Sequence, residues 1–137
     1  MADTIRKVNY YYTTAPDKPG EGARLLQALR NAGVNLLAFH AFPRARKSQA
    51  DFVPVDAGAF EAAAKAATIK LSKPKTAFLV EGADRVAALA SIMGRLGDAK
   101  INVTAVSAVG AGMSRYGAIY WVKPRDVAKA ATAVGAL

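Results

Sequence analysis

The chain matches itself when slid by 67 residues: Asp17 falls on Asp84, Leu29 on Leu96, Val34-Asn35 on Ile101-Asn102, and Phe52-Val53 on Ile119-Tyr120, with no gap required. Nearly all of the 137 residues are therefore two copies of one unit. A unit of about 65 residues can enclose only one small core, so each copy must be a short supersecondary pattern. Keeping two copies also creates a seam at which something else can be held.

Within the first copy, Asn9 to Thr13 is rich in aromatic and β-branched residues and reads as a strand. The turn formers Ala15-Pro16-Asp17-Lys18-Pro19-Gly20 break it, and Leu25, Leu26, Leu29 and Ala32 recur at helical spacing from about Glu21. Gly33 is the left-handed stop expected just past that helix. A second strand runs from Asn35 to Phe42, Arg44 to Ala50 reads as a basic hairpin loop, and Phe52 to Val55 as a third strand. Pro54 predicts a bulge or a strand end near Val53, because proline removes a ladder hydrogen bond. Phe60, Ala63, Ala64 and Ala67 mark a second helix, and Ile69-Lys70-Leu71 a short fourth strand.

The second copy repeats the order. Thr76 to Val80 is a strand, Asp84 a helix cap, and Val86, Leu89, Met93 and Leu96 the helix stripe. Asn102 to Val109 is the next strand, Gly110-Ala111-Gly112 a flexible hairpin loop, and Ala118 to Val122 the third strand. Val127, Ala130, Ala131 and Val134 follow as a helix face after Pro124. Ile69 corresponds to Ala136, so this copy has no room for a fourth strand. Its sheet edge needs a cover: the long start of the chain, the Ile69 to Val80 connection, or, most simply, a partner chain. The expected fold is α+β: two ferredoxin-like βαββαβ units, the second lacking its last strand, with antiparallel sheets and helices on one face. The units span residues 1–71 and 72–137. Strand two is apolar on both sides, with Leu36, Ala38, His40 and Phe42 alternating with Leu37, Phe39 and Ala41, which points to a homodimer.

Composition removes several kinds of chemistry. There is no cysteine, so disulfides, thiol catalysis and cysteine metal sites are excluded. His40 is the single histidine and sits in an apolar strand, so no histidine metal cluster or Ser-His-Asp triad can form. No phosphate loop or dinucleotide fingerprint occurs. The expectation is a protein without catalytic activity, cofactor or metal. Apolar runs fall well short of the roughly 20 residues of a membrane span, and the first residues lack a signal-peptide core; the absence of cysteine makes a cytoplasmic location the expectation. The net charge of +9, from 19 Lys and Arg against 10 Asp and Glu, is dispersed and reads as a solvated coat.

Two recurring features suit a small ligand. Asp17-Lys18-Pro19-Gly20-Glu21-Gly22 leads into a helix N-terminus, where glycines leave backbone N–H groups open to a carboxylate. Asn35 then opens the next strand, and its amide offers both a donor and an acceptor. Each feature alone has a structural reading as a turn or loop cap.

Together, Asp17-Lys18-Pro19-Gly20, Leu25-Leu26-x-x-Leu29 and Ala32-Gly33-Val34-Asn35-Leu36 resemble the signature of the ACT domain, a βαββαβ regulatory module. The resemblance covers both copies, although the second has Gly82-Ala83-Asp84-Arg85-Val86 where Pro-Gly would fall. It implies allosteric binding of a small molecule, most often an amino acid, where paired units meet. The ligand residues it implies are Asp17, Gly20, Gly22 and Asn35 at one seam, and Asp84 and Asn102 at the other. Because ACT units usually regulate a fused enzyme and none is recognisable here, the chain is expected to be a free-standing sensor or a regulator of a separate metabolic enzyme.

RNA binding is the rival reading, from Tyr10, Tyr11 and Tyr12 on strand one and Tyr116 to Trp121 near strand three. Against it, Gly117 follows Tyr116 instead of preceding it, and Ile119 stands where an aromatic is expected. A purely structural oligomerisation module is the third possibility.

Overall fold

The computed structural model describes residues 3–137. In chain order the elements are β1 (Thr4–Pro16), α1 (Glu21–Asn31), β2 (Leu36–Arg44), β3 (Lys47–Pro54), α2 (Ala57–Ala66), β4 (Lys75–Ala83), α3 (Ala90–Asp98), β5 (Val103–Gly112), β6 (Arg115–Val122) and α4 (Val127–Val134), with a 3₁₀ turn at Pro124–Asp126. Two compact units result: Asn9–Lys75 forms one, and the described residues up to Val8 join Thr76–Leu137 in the other.

In the Asn9–Lys75 unit the strands order as β2-β3-β1, all antiparallel. Leu25 and Leu29 from α1, and Phe60, Ala63 and Ala64 from α2, close on Tyr11, Ala50 and Phe52 of the sheet. Phe60 stacks obliquely on both Tyr11 and Phe52, with ring centres 5.1 and 5.3 Å away. Asp56 caps α2 by accepting the Ala59 N–H at 3.1 Å. Gly33 takes the expected left-handed conformation at φ 71°, and Val34 N–H returns to the Leu29 carbonyl. Ile69 to Leu71 holds the place of a fourth strand without a regular ladder. The Thr13 hydroxyl donates to the Lys70 carbonyl at 2.7 Å, and Ser72 N–H to the Tyr12 carbonyl at 2.8 Å.

The other unit orders β4-β6-β5, again antiparallel, with Phe78, Val80, Tyr116 and Tyr120 packed beneath Ile92 and Leu96 of α3 and Ala130 and Val134 of α4. The sheet edge expected to lie open is covered by the chain's own start, not by a partner. The opening residues of β1 lie beside β4, Ile5 enters the core, and Leu137 N–H donates to the Ile5 carbonyl at 2.9 Å. Thirteen residues make β1 long enough to serve both units, which the Asn9 to Thr13 run did not announce.

Several other expectations are corrected. Both hairpins are tight. β2 continues to Arg44 and β3 starts at Lys47, with Ala45 and Arg46 at φ 49° and 69° between them. In the second unit Gly110 to Gly112 belong to β5, and Met113 and Ser114 make the turn at φ 55° and 56°. Two successive positive φ values match the right-handed twist of the flanking strands, and that fit overrides the loop-like composition.

The 67-residue register also slips by one residue through β6 and is regained by the end of α4, where Gly135 again corresponds to Thr68. Tyr11 faces Phe52 and Phe78 faces Tyr120, so Phe52 corresponds to Tyr120, not Ile119. The extra residue is Ala111, accommodated where the β5–β6 register shifts between Gly110 and Gly112. Pro54 ends β3 as expected, and a bulge opposite it, between Leu36 and Ala38, breaks the simple alternation of β2. Leu36 and Phe39 consequently both pack on the helix-side core.

Candidate functional site

Asp84 does not cap a helix. α3 begins only at Ala90, with Leu89 at its N-cap position and no side-chain cap, and Val86 is 98% exposed instead of contributing to the stripe. The longer turn from Asp84 to Leu89 includes Ala87 at φ 52°. It is anchored at its start, where Asp84 N–H donates to the Ser114 carbonyl at 2.8 Å. Against this turn lies an open cleft of about 260 Å³. Its walls are Asp84, Arg85 and Ala87 to Leu89 from the turn, Ala108 to Gly110 of β5, and Tyr116 of β6.

Tyr116 sits between two glycines, Gly82 across on β4 and Gly110 across on β5. Gly82 is the one that gives its ring room, since a Cβ there would lie 2.9 Å from the ring edge. Tyr116 is 6% exposed, and its hydroxyl has no hydrogen-bond partner among the described residues. Asp3 is close enough to act on that hydroxyl without meeting hydrogen-bond geometry: burial first, then Asp3, pushes the Tyr116 pKa upward. The hydroxyl is sealed from solvent, so a bound group could meet it only where the Asp3 carboxylate now faces it.

Arg85 is held in a fork. It donates to both carboxylate oxygens of Asp3, at 3.0 and 3.1 Å, and to the Ala83 carbonyl at 2.9 Å. The guanidinium holds the Asp3 carboxyl below the usual carboxylate range. The cavity thus has an acidic side chain, a basic side chain and a phenol on an otherwise small, apolar lining. That set is complementary to a zwitterion: a carboxylate for an ammonium group, and a guanidinium and hydroxyl for a carboxylate.

The other expected site residues lie as follows. Asp17 is exposed and accepts from the Ser48 hydroxyl at 3.2 Å. Gly20 is the N-cap of α1 at φ 94°, and Gly22 is exposed in its first turn. Asn35 is exposed beyond the other end of α1, and its side-chain oxygen accepts the Leu36 N–H at 2.9 Å. An 11-residue helix is about 16 Å long, so Asn35 is not brought together with Gly20 and Gly22 inside its own unit. Asn102 is exposed, separated from Asp84 by α3. Of the expected residues, then, Asp84 alone lines the cavity. Asp3, Arg85 and Tyr116 were missed, and the signal that could have found Tyr116 is the pair of glycines flanking it across the sheet. His40 is half-buried opposite Asp51, its ring 5.3 Å from Phe42, as an ordinary sheet residue.

Two observations bear on the rival readings. Tyr116 and Tyr120 are buried in the helix-side core and present no face for stacking bases. Among the described residues no group of three or more metal-ligating side chains occurs, and no helix is long and apolar enough to cross a membrane.

No family model matches the sequence, and no curated protein matches it. Solved structures do. Protein BT0572 from Bacteroides thetaiotaomicron is similar over 95% of this chain and 88% of its own, with a TM-score of 0.76 at 14% identity. The ligand-free regulatory subunit of aspartate kinase from Thermus thermophilus is similar over 98% of this chain and 96% of its own (TM-score 0.66, 15% identity). The corresponding subunit from Thermus flavus gives 98% and 94%, with a TM-score of 0.59 at 18% identity. The fold matches the ferredoxin-like βαββαβ repeats of ACT domains.

Proposed function

We propose that this chain is a non-catalytic regulatory protein that binds an amino acid in the cleft against the Asp84 to Leu89 turn. The observation that carries the reading is the opposed charge on the cavity wall, Asp84 beside Arg85, on an otherwise small and apolar lining. The fold shared with aspartate kinase regulatory subunits supports a regulatory role over a catalytic one. In this reading the chain acts in the cytoplasm as a homodimer and acts on a separate metabolic enzyme. Nine of the ten residues of β5 are exposed and none is charged, which suits pairing with a second copy. Asp17, Gly20, Gly22, Asn35 and Asn102 then belong to ligand contacts completed across such a pairing.

A thermal-shift screen of the twenty amino acids tests the proposal. A ligand present at 100 times its Kd adds about 2.7 kcal/mol, enough to move the midpoint by several degrees. Asp84→Asn removes the charge that would hold the ammonium group, and affinity should fall about tenfold or more. No shift with any amino acid, or a shift indifferent to Asp84→Asn, refutes it.

A further inference from the structure

Arg85 and Tyr116 face two ways: both line the cavity, and both face Asp3, which does not line it. Asp3 is built into this position. Its carboxyl side chain is 7% exposed, and a Cβ on Gly82 would lie 2.1 Å from its Oδ1, so only glycine on β4 lets it dock. Behind it, the opening of β1 is fastened by Leu137, which donates to the Ile5 carbonyl and accepts the Lys7 N–H. The guanidinium that would meet a bound carboxylate is therefore already engaged by a carboxylate of the same chain.

Resting on the amino-acid reading above, we propose that Arg85 and the Tyr116 hydroxyl form a carboxylate-binding subsite of the cavity, for which Asp3 is the internal competitor. A ligand carboxylate takes over the Arg85 fork and replaces Asp3 beside the Tyr116 hydroxyl. Asp3 is thereby released from Gly82. Ligand occupancy is read out as loosening at the start of β1, the strand whose two parts serve the two units. Arginine suits such an exchange, because its planar fork pairs equally well with either carboxylate. The side chain is partly open to solvent, which keeps the internal pair weak enough to be displaced.

The subsite is tested on the full chain with acetate as the probe, titrated against sodium chloride at matched ionic strength while the melting midpoint is followed. Asp3→Ala vacates the competitor, and the half-saturating acetate concentration should fall about two- to fivefold below wild type. Asp3→Ala combined with Arg85→Gln should lose the acetate response, and Asp3→Ala with Tyr116→Phe should weaken it. Tyr116→Phe alone should leave the free protein as stable as wild type or more so, since it removes an unpaired hydroxyl. Equal acetate responses in wild type, Asp3→Ala and the Arg85→Gln double variant, or none in any of them, overturn the subsite. Repeating the amino-acid screen on wild type and Asp3→Ala separates the two ideas. Acetate binding that depends on Arg85, with no amino-acid hit in either protein, keeps the subsite and sinks the amino-acid reading. An amino-acid hit of equal affinity in both proteins keeps that reading and sinks the competitor.

Discussion

Left-handed backbone closes every helix of the repeat at matching positions, but glycine occupies only half of them. After the first helix of each copy stand Gly33 at φ 71° and Lys100 at φ 62°; after the second stand Thr68 at φ 59° and Gly135 at φ 67°. The hydrogen bonds agree across copies. Val34 N–H reaches the Leu29 carbonyl as Ile101 reaches Leu96, and Ile69 reaches Ala64 as Ala136 reaches Ala131. Thr68 is the most strained of the four, because a β-branched side chain crowds the following carbonyl when φ is positive. Thr68→Gly should therefore stabilise the protein by about 0.5–1 kcal/mol, the relieved strain outweighing the added freedom of the unfolded chain. Lys100→Gly should act in the same direction with smaller effect. Gly33→Ala should cost about 1 kcal/mol, from backbone strain alone, since a Cβ there meets nothing within 4 Å. Urea titration of the three variants checks all of this, and a destabilised Thr68→Gly would contradict the strain argument.

At the level of elements, what could be read from the sequence was whatever hydrophobic spacing dictates. Leu25 and Leu29, Phe60 and Ala63, and Ala130 and Val134 are buried at the helical positions their periodicity announced. Pro54 ended its strand for the anticipated reason, a missing donor. The hairpins were opaque because Ala45-Arg46 and Met113-Ser114 carry none of the residues that favour positive φ; strand pairing on both sides forces the turn on them. The same forcing hid the site. Asp84 looked like a helix cap, yet α3 starts at Ala90, and five of the six residues this frees line a cleft whose other wall comes from β5 and β6. No local pattern around Asp84 encodes that other wall. If forcing is the right account, Ala45-Arg46→Asn-Gly should stabilise the first hairpin by about 1 kcal/mol, because both new residues accept positive φ readily. Thermal unfolding should then move upward without change in the hydrogen exchange of α1 and α2. A lowered midpoint would mean that the native turn is not strained.

For the whole molecule, duplication was the most legible property, and the pairing of Tyr11 with Phe52 and Phe78 with Tyr120 makes it structural. The detail it could not supply is that the chain's start finishes the second copy, since the first four residues of β1, Thr4 to Lys7, have no counterpart in β4. Each core also holds one strongly perturbed tyrosine, although the two are not repeat equivalents: Tyr11 matches Phe78, and Tyr120 matches Phe52. Tyr11 is pushed up to about 12 by burial, reinforced by its hydrogen bond to Glu61; Tyr120 is pushed up to about 12 by burial, its hydroxyl unpaired. Free tyrosine ionises near 10, so between about pH 10 and 12 the unfolded chain gives up these protons while the folded chain keeps them. The folded state then binds more protons than the unfolded one, and stability must fall as pH rises, by up to about 1.4 kcal/mol per pH unit for each tyrosine. Below pH 10 neither contributes any slope. Over the same range the lysines of this +9 chain lose charge, which relieves self-repulsion and acts the other way, so wild type alone cannot isolate the effect. Tyr120→Phe isolates it, because it removes one titrating group together with an unpaired buried hydroxyl and leaves the lysines untouched. Its stability at pH 7 should equal or exceed wild type, and its decline from pH 10 to 12 should be shallower by about one tyrosine's share. Tyr11→Phe should flatten the decline equally but start from a lower value at pH 7, having lost the bond to Glu61. Denaturant midpoints collected at half-unit pH steps would give the three slopes, and identical slopes would remove the buried tyrosines as the cause of alkaline unfolding.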